Sequence, residues 1–220
     1  MNFTTSEENY IKRIYHLQQE TGLVNTNSLA AEMQTRAASV TDMLKKLKSK
    51  KLLQYEKYKG FKLNDAGKKA ALDVVRKHRL WEYFLVEHLK FDWDKVHPIA
   101  EELEHINSEE LVQRLDNFLG NPLFDPHGDP IPDKNGKITV IKQQSLTEIP
   151  FKKNVTVSSV RNQTEQMLDM LRHYHIALGT QLTVIKRFDF DGSLEIKVSK
   201  KNACIISEQV AKNIFVHDVH

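Results

Sequence analysis

Between Asn121 and Gly136 the chain places Pro122, Pro126, Pro130 and Pro132 together with Gly128 and Gly136, a run through which neither a helix nor a strand can continue. The hydrophobic period differs on its two sides. Before it, apolar residues recur at helical intervals, as in Ile11, Ile14 and Tyr15, or Val40, Met43, Leu44 and Leu47. After it they alternate as strands do: Val155 and Val157; Leu182, Val184 and Ile185; Leu194, Ile196 and Val198; Ile205 and Ile206; then Ile214 to Val216. Asp191-Gly192 fits a hairpin turn, and Glu165 to Tyr174 reads as one helix among these strands. The expected fold class is mainly α with a small, barrel-like β domain at the C-terminal end, which 220 residues can supply as two or three small domains.

The first 70 residues have a recognisable element order. Residues 5 to 20 read as a helix with Thr5 and Glu8 at capping-box spacing, and residues 26 to 34 as a short helix opening at Asn25, Thr26 or Asn27. A third helix follows, apolar on its Val40, Met43, Leu44 and Leu47 face and polar on the face of Ser39, Thr41, Asp42, Lys45, Lys46 and Lys48. Leu52 to Tyr58 and Phe61 to Leu63 then read as strands about Lys59-Gly60, a hairpin carrying Lys57, Lys59 and Lys62. This order describes an N-terminal winged helix-turn-helix, whose third helix enters the major groove of DNA. Arg36, Ala37, Ala38, Ser39, Thr41 and Asp42 are the candidates for base edges or nearby phosphates, and Lys45, Lys46 and Lys59 for phosphate contacts. The rival is a helical domain with a merely solvated lysine face; charge, element order and the Lys-rich hairpin together favour double-stranded operator DNA.

Charge is divided unevenly along the chain. Residues 1–70 hold 13 Lys+Arg against 7 Asp+Glu, residues 71–150 hold 9 against 15, and residues 151–220 hold 10 against 7. A basic block suits an anionic partner and an acidic block a cationic one. No apolar run approaches the length of a membrane span, and Met-Asn-Phe-Thr-Thr-Ser-Glu-Glu is unlike a signal peptide, so no membrane partner and a cytoplasmic location are expected. With Cys204 as the single cysteine, expected as a buried structural thiol, any metal site must rely on oxygen and nitrogen.

The acidic block contains His97-Pro-Ile-Ala-Glu-Glu-Leu-Glu-His-Ile-Asn107. Read as one helix, it sets His97, Glu101, Glu104 and His105 on one face and Ile99, Leu103 and Ile106 on another. No lysine or arginine stands between Lys95 and Arg114, so these carboxylates lack a local ion-pair partner and point to a cation from elsewhere. Upstream, a long helix from Asn64 to about Leu89 carries His78 and Glu82 four residues apart; a shorter one is expected near Ser108 to Leu119.

Three stretches, Asn9-Tyr-Ile-Lys-Arg-Ile-Tyr, Arg76-Lys-His-Arg-Leu-Trp-Glu and Lys95-Val-His-Pro-Ile-Ala-Glu-Glu-Leu-Glu-His, resemble the iron- and manganese-dependent repressor family, that of the diphtheria toxin repressor and the manganese transport regulator. The likeness extends through Gly128-Asp-Pro-Ile-Pro into the β domain. It implies a DNA-binding domain at 1–70, a helical dimerisation and metal-binding domain at 71–142, and an SH3-like (FeoA-like) β domain at 143–220, in a homodimeric, metal-activated repressor controlling metal-ion homeostasis. By the same resemblance, Glu101, Glu104 and His105 are the core ligands of the main metal site and Asn9 holds the first-helix ligand position. His78, Glu82 and His97 match an ancillary site. Asp125 and His127 resemble a linker motif used with the equivalent of Glu82, which Glu165 would complete.

Two positions depart from the family pattern: Asn9 stands where iron-type members have methionine and manganese-type members aspartate, and Lys12 where some manganese-type members have glutamate. Iron-type members carry a cysteine at the position of Glu101, so this all-oxygen-and-nitrogen set puts Mn²⁺ first and Fe²⁺ second. His16, His88, His173, His175 and Asp169 are assigned to surface or packing roles, and no small organic ligand or catalysis is expected. A di-iron or other metal-dependent enzyme is the main rival, because Glu102-Leu-Glu-His105 has Glu-x-x-His spacing, but that chemistry needs the motif on two helices and a single copy is present. A metal-free adaptor using the acidic block to hold a protein is the third reading.

Overall fold

The computed structural model describes residues 3–56, 59–139, 142–199 and 203–218; Lys57 lies outside them. The chain forms two compact units, one of Met1–His78, Glu101–Gln113 and Pro132–Ile138, the other of Arg79–Ala100, Arg114–Ile131 and Thr139–His220.

In the first unit, helix α1 (Thr5–Thr21) starts one residue earlier than the Thr5/Glu8 spacing predicts. Thr4 is the cap: its Oγ1 accepts the Glu7 amide while the Glu7 carboxylate accepts the Thr4 amide. That leaves Glu8 on the inward side of the helix, where it is buried. Helix α2 (Thr26–Glu32) is capped by Asn25, whose Oδ1 accepts the Ser28 amide, and α3 (Ala37–Ser49) follows a four-residue connection. Strands β1 (Leu53–Glu56) and β2 (Gly60–Leu63) pair antiparallel, Leu53 opposite Leu63. Ile11, Ile14, Leu29, Val40, Leu47, Leu52 and Leu63 form the core beneath them. Val24, between α1 and α2, exchanges both backbone hydrogen bonds with Phe61 and so adds a third rung to the wing. Gly60 permits it: its φ is +140°, and a Cβ there would meet the Val24 carbonyl oxygen at 2.4 Å.

Helix α4 (Asp65–Glu87), α5 (Val96–Leu103) and α6 (Glu109–Phe118) follow. The helix expected through Asn107 therefore ends at Leu103, whose carbonyl accepts the Ile106 amide in a tight turn. Glu104 and His105 sit on that turn, so the 100° helical face extrapolated from His97 does not include them.

In the second unit, β3 (Gln144–Ser145), β4 (Asn154–Val160), β5 (Gln181–Arg187), β6 (Leu194–Val198), β7 (Ala203–Ile206) and β8 (Ile214–Asp218) make an antiparallel sheet in the order β3-β8-β4-β5-β6-β7. Helices α7 (Glu165–His173) and α8 (Glu208–Lys212) accompany it; Leu168 and Leu171 of α7 join Val155, Val157, Leu182, Val184, Leu194 and Ile196 in one core. The β5–β6 connection is wider than the two-residue turn read at Asp191-Gly192, since Phe188 and Ser193 close it. Cys204 on β7 is half-buried, and burial raises its thiol pKa.

Residues 125–128 of the proline-rich run are held to this sheet. Asp125 Oδ1 accepts the amides of His127 and Asp129, and the His127 carbonyl accepts the Val160 amide of β4. Gly128 has φ +85°, and a Cβ there would lie 2.0 Å from the Ser158 carbonyl oxygen. Gly128→Ala is therefore expected to destabilise the protein by about 2 kcal/mol or more, through strain and a forced separation of loop and strand; urea unfolding of the variant measures this, and a cost below about 0.5 kcal/mol would show that the loop is not pinned there.

Candidate metal centres and nucleic-acid interface

In the second unit Glu82 of α4 and Asp125 and His127 of the proline-rich loop bring one ligand atom each to within 4.8 Å of one another, and all three residues are buried. The imidazole is oriented by its far side: Nε2 lies 2.9 Å from the Trp93 carbonyl oxygen, which can only accept, so Nε2 carries the hydrogen. In the neutral ring Nδ1 is then a lone pair, 3.8 Å from Glu82 Oε2 and 4.0 Å from Asp125 Oδ1. Neither His127 Nδ1 nor Asp125 Oδ2 has a hydrogen-bond partner among the described residues.

Burial, and then the neighbouring Asp129 and Glu82 carboxylates, pushes the Asp125 carboxyl well above its ordinary range. Arg79 offsets this only in part, with Nε 3.5 Å from Asp125 Oδ2 and its fork turned to Asp129 and the Pro130 carbonyl. Two buried carboxylates and an imidazole lone pair facing one another form a donor set for a divalent cation. His97 Nδ1, on the more exposed side, lies 3.2 Å from Glu82 Oε1. Glu165, expected to complete this group, is instead exposed on the first turn of α7. Gln163, two residues earlier, donates its side-chain amide to Asp129.

In the first unit the cluster about Glu104 is built differently. Glu104 is fully buried, with His78 Nδ1 2.6 Å from its Oε2 and His105 Nε2 3.7 Å from its Oε1. The other His105 nitrogen, Nδ1, is 2.6 Å from Glu8 Oε2. Asn9 Oδ1 is buried without a hydrogen-bond partner. The cation missing from the sequence neighbourhood of these carboxylates comes from α1: Lys12 Nζ lies 2.6 and 2.7 Å from the two Glu104 oxygens and 2.7 Å from Glu101 Oε1. A second buried lysine, Lys77, places Nζ 3.3 Å from Glu8 Oε1 and 3.2 Å from Asn107 Oδ1. Neither lysine, nor Glu8, is among the candidates read from the sequence. Their signal is three-dimensional, because the partners lie up to 97 residues apart.

The winged helix presents every proposed DNA residue to solvent: Arg36, Ala37, Ala38, Ser39, Thr41, Asp42, Lys45 and Lys46 around α3, and Lys59 at the wing. The opposite face of α3 is consumed by the core through Val40, Leu44 and Leu47. Lys45 pairs with Asp42 at 3.0 Å, and Lys48 lies over the Tyr55 ring. Among the described residues no helix is long and apolar enough to cross a membrane.

Residues 2–61 match the model of the iron dependent repressor N-terminal DNA binding domain, residues 64–133 that of its metal binding and dimerisation domain, and residues 144–218 the FeoA domain. The iron-dependent repressor IdeR of Mycobacterium leprae is 31% identical over 169 residues, 74% of this chain and 73% of that protein. The chain belongs to the iron-dependent repressor family.

Within that family the HTH-type transcriptional regulator MntR of Bacillus subtilis is 34% identical over 116 residues, 53% of this chain and 81% of its own length. A solved manganese-dependent transcriptional repressor in complex with manganese superposes with a TM-score of 0.86 at 32% identity, covering 97% of this chain and all of that one. ScaR with bound Cd²⁺ gives 0.81 at 32% identity over 97% of this chain and 99% of its own. The C-terminal sheet is accordingly the SH3-like FeoA domain expected of the family.

The raised carboxyl of Asp125 has a consequence for stability. A carboxyl that holds its proton more tightly folded than unfolded contributes stability below its unfolded pKa and loses it as pH rises through the folded value. Metal-free protein is thus expected to lose stability from the ordinary carboxylate range upward as Asp125 ionises, and a divalent ion to restore it. Asp125→Asn keeps an oxygen for the His127 and Asp129 amides and removes the charge. It should melt higher than wild type without metal, by about 1–2 kcal/mol at neutral pH, yet gain far less from added Mn²⁺. Calorimetric melting with and without Mn²⁺ decides this; equal Mn²⁺ stabilisation of both proteins would remove Asp125 from the metal site.

Proposed function

We propose that this chain is a DNA-binding transcriptional repressor whose affinity for operator DNA depends on a bound divalent ion, Mn²⁺ first and Fe²⁺ second, and that it serves metal-ion homeostasis. The observation carrying this reading is the convergence of Glu82, Asp125 and the lone-pair side of His127 within 4.8 Å of one another, with His127 Nδ1 and Asp125 Oδ2 lacking a hydrogen-bond partner among the described residues. Similarity to repressors described as manganese-dependent and iron-dependent supports the same class. The hard oxygen donors and a single imidazole suit Mn²⁺, which takes carboxylate and imidazole ligands without needing a thiolate. His97 would extend this site.

Asn9, His78, Glu101, Glu104 and His105 would hold a second ion. The bound ion supplies charge neutralisation and a fixed link between chain segments, and no reaction on a substrate is required. Glu102, needed by the Glu-x-x-His alternative, is exposed, which weighs against a di-iron centre.

The proposed division is a DNA-binding part at 1–70, a dimerisation and metal-binding part at 71–142 and a FeoA-like part from 143 onward; the family models span 2–61, 64–133 and 144–218. Leu89, Phe91, Phe118 and Leu123 expose large apolar surface in the helical part, a face suited to a second copy of this chain. A repressor acting on DNA would work in the cytoplasm.

The direct test is a duplex selected from a random pool by the Mn²⁺-loaded protein, then titrated with metal-stripped protein under anaerobic conditions in the presence of Mn²⁺, Fe²⁺ or Zn²⁺. Binding should rise steeply with Mn²⁺ or Fe²⁺; affinity independent of any metal would end this reading. On that duplex, Lys46→Ala and Lys59→Ala should each lower the slope of log affinity against log salt by about 0.9, leaving metal affinity unchanged. Unaltered slopes in both would mean that DNA docks elsewhere. His127→Ala should abolish metal-dependent binding while the winged-helix core stays folded; retained Mn²⁺ activation would displace the proposed first site.

A further inference from the structure

The Lys12 ammonium is at 2.6–2.7 Å from both Glu104 oxygens and from Glu101 Oε1, donating hydrogen bonds to Glu101 Oε1 and Glu104 Oε2 and standing in ion-pair contact with Glu104 Oε1. Those same carboxylates, with His78, are the ligand atoms that lie within 4.8 Å of one another. An ammonium and a divalent ion therefore compete for one point in space. We propose that Lys12 is a tethered competitor at the second metal site: a divalent ion enters there only by displacing the lysine from Glu101 and Glu104. The inference rests on the reading of these residues as metal ligands and adds what decides when they are filled.

Three features carry it. Lys12 is nearly buried and Glu104 completely so, which makes the ammonium the counter-charge of the metal-free cluster. Glu101 keeps about a third of its side chain exposed, 35%, and so marks a side through which a flexible lysine stem can withdraw to water. Asn9, one turn before Lys12 on the same helix, contributes a neutral amide oxygen and no negative charge, and the α1 carboxylate nearest the cluster, Glu8, already faces His105 and Lys77, so a retained ammonium is not compensated once a divalent ion arrives. By contrast, His127 Nδ1 and Asp125 Oδ2 have no hydrogen-bond partner among the described residues, and the cation beside Asp125 is Arg79, with Nε 3.5 Å from Oδ2.

The two sites are then filled in order, the Glu82 site first and the Glu104 site at higher metal concentration, and Lys12 sets the gap. In both states α1 stays tied to the turn after α5, by the ammonium at low metal and by the ion at high metal.

The test uses the full-length protein, Mn²⁺ as probe, and Lys12→Gln with Lys12→Met as a second variant. Equilibrium dialysis and the electron paramagnetic resonance of Mn²⁺ give the affinity of each equivalent, and thermal melting gives stability without metal. The second equivalent should bind at least about tenfold tighter in Lys12→Gln than in wild type, with the first unchanged within about twofold. The metal-free variants should melt lower than wild type, and Mn²⁺ should raise their melting temperature by more. Should one variant not fold without metal, its recovery on adding Mn²⁺ supports the same conclusion. An unchanged or weaker second equivalent in a folded variant overturns the proposal. If neither protein takes a second equivalent but both take a first, Lys12 has no ion to compete with and the proposal fails while the Glu82 site stands; if neither takes any, the metal reading itself falls.

Discussion

Carboxylates withdrawn from water must meet positive charge, and that requirement organises this chain. Glu8, Glu82, Glu104 and Asp125 are each buried, at positions where an isolated charge would cost several kcal/mol. Around Glu8 and Glu104 the protein supplies its own cations in Lys77 and Lys12. Around Glu82 and Asp125 it supplies an imidazole turned lone-pair inward and a guanidinium directed mainly at another carboxylate. In the first arrangement an ammonium reaches the carboxylates directly, whereas in the second Asp125 Oδ2 and His127 Nδ1 have no hydrogen-bond partner among the described residues, which is where an ion has most to offer.

The surface that would meet DNA follows from the opposite condition. Val40, Leu44 and Leu47 hold one face of α3 in the core, and this forces Ser39, Thr41, Asp42, Lys45 and Lys46 outward. The wing is fixed to the α1–α2 connection by the paired hydrogen bonds of Val24 and Phe61, which need the bare Cα of Gly60. Exposed basic residues on a rigidly braced helix and hairpin are what phosphate recognition requires, since they can release counterions without reorganising the fold.

The proline and glycine content of the linker breaks regular structure, but the break is ordered. Asp125 collects two amides of its own loop, the His127 carbonyl reaches β4, and Gly128 lets the loop approach Ser158 without a side chain between them. The residues that interrupt helix and strand are thereby the ones that set His127 against Trp93 and aim its Nδ1.

Local information in the chain was enough for what depends on neighbours a few residues away. The helical and alternating periods placed α1 to α4 and β4 to β8 nearly where they stand, because burying one face of an element needs only a repeated spacing. Motif resemblance brought out Glu101, Glu104, His105, His78, Glu82, Asp125 and His127, and the fold groups most of these into two clusters. It could not show that α5 stops at Leu103, a matter of one turn hydrogen bond, nor that Glu165 faces solvent. Least of all could it show that Lys12 answers Glu101 and Glu104. Charge balance at a buried site is settled by distance in space, and residues 92 apart acquire that distance only when the chain has folded.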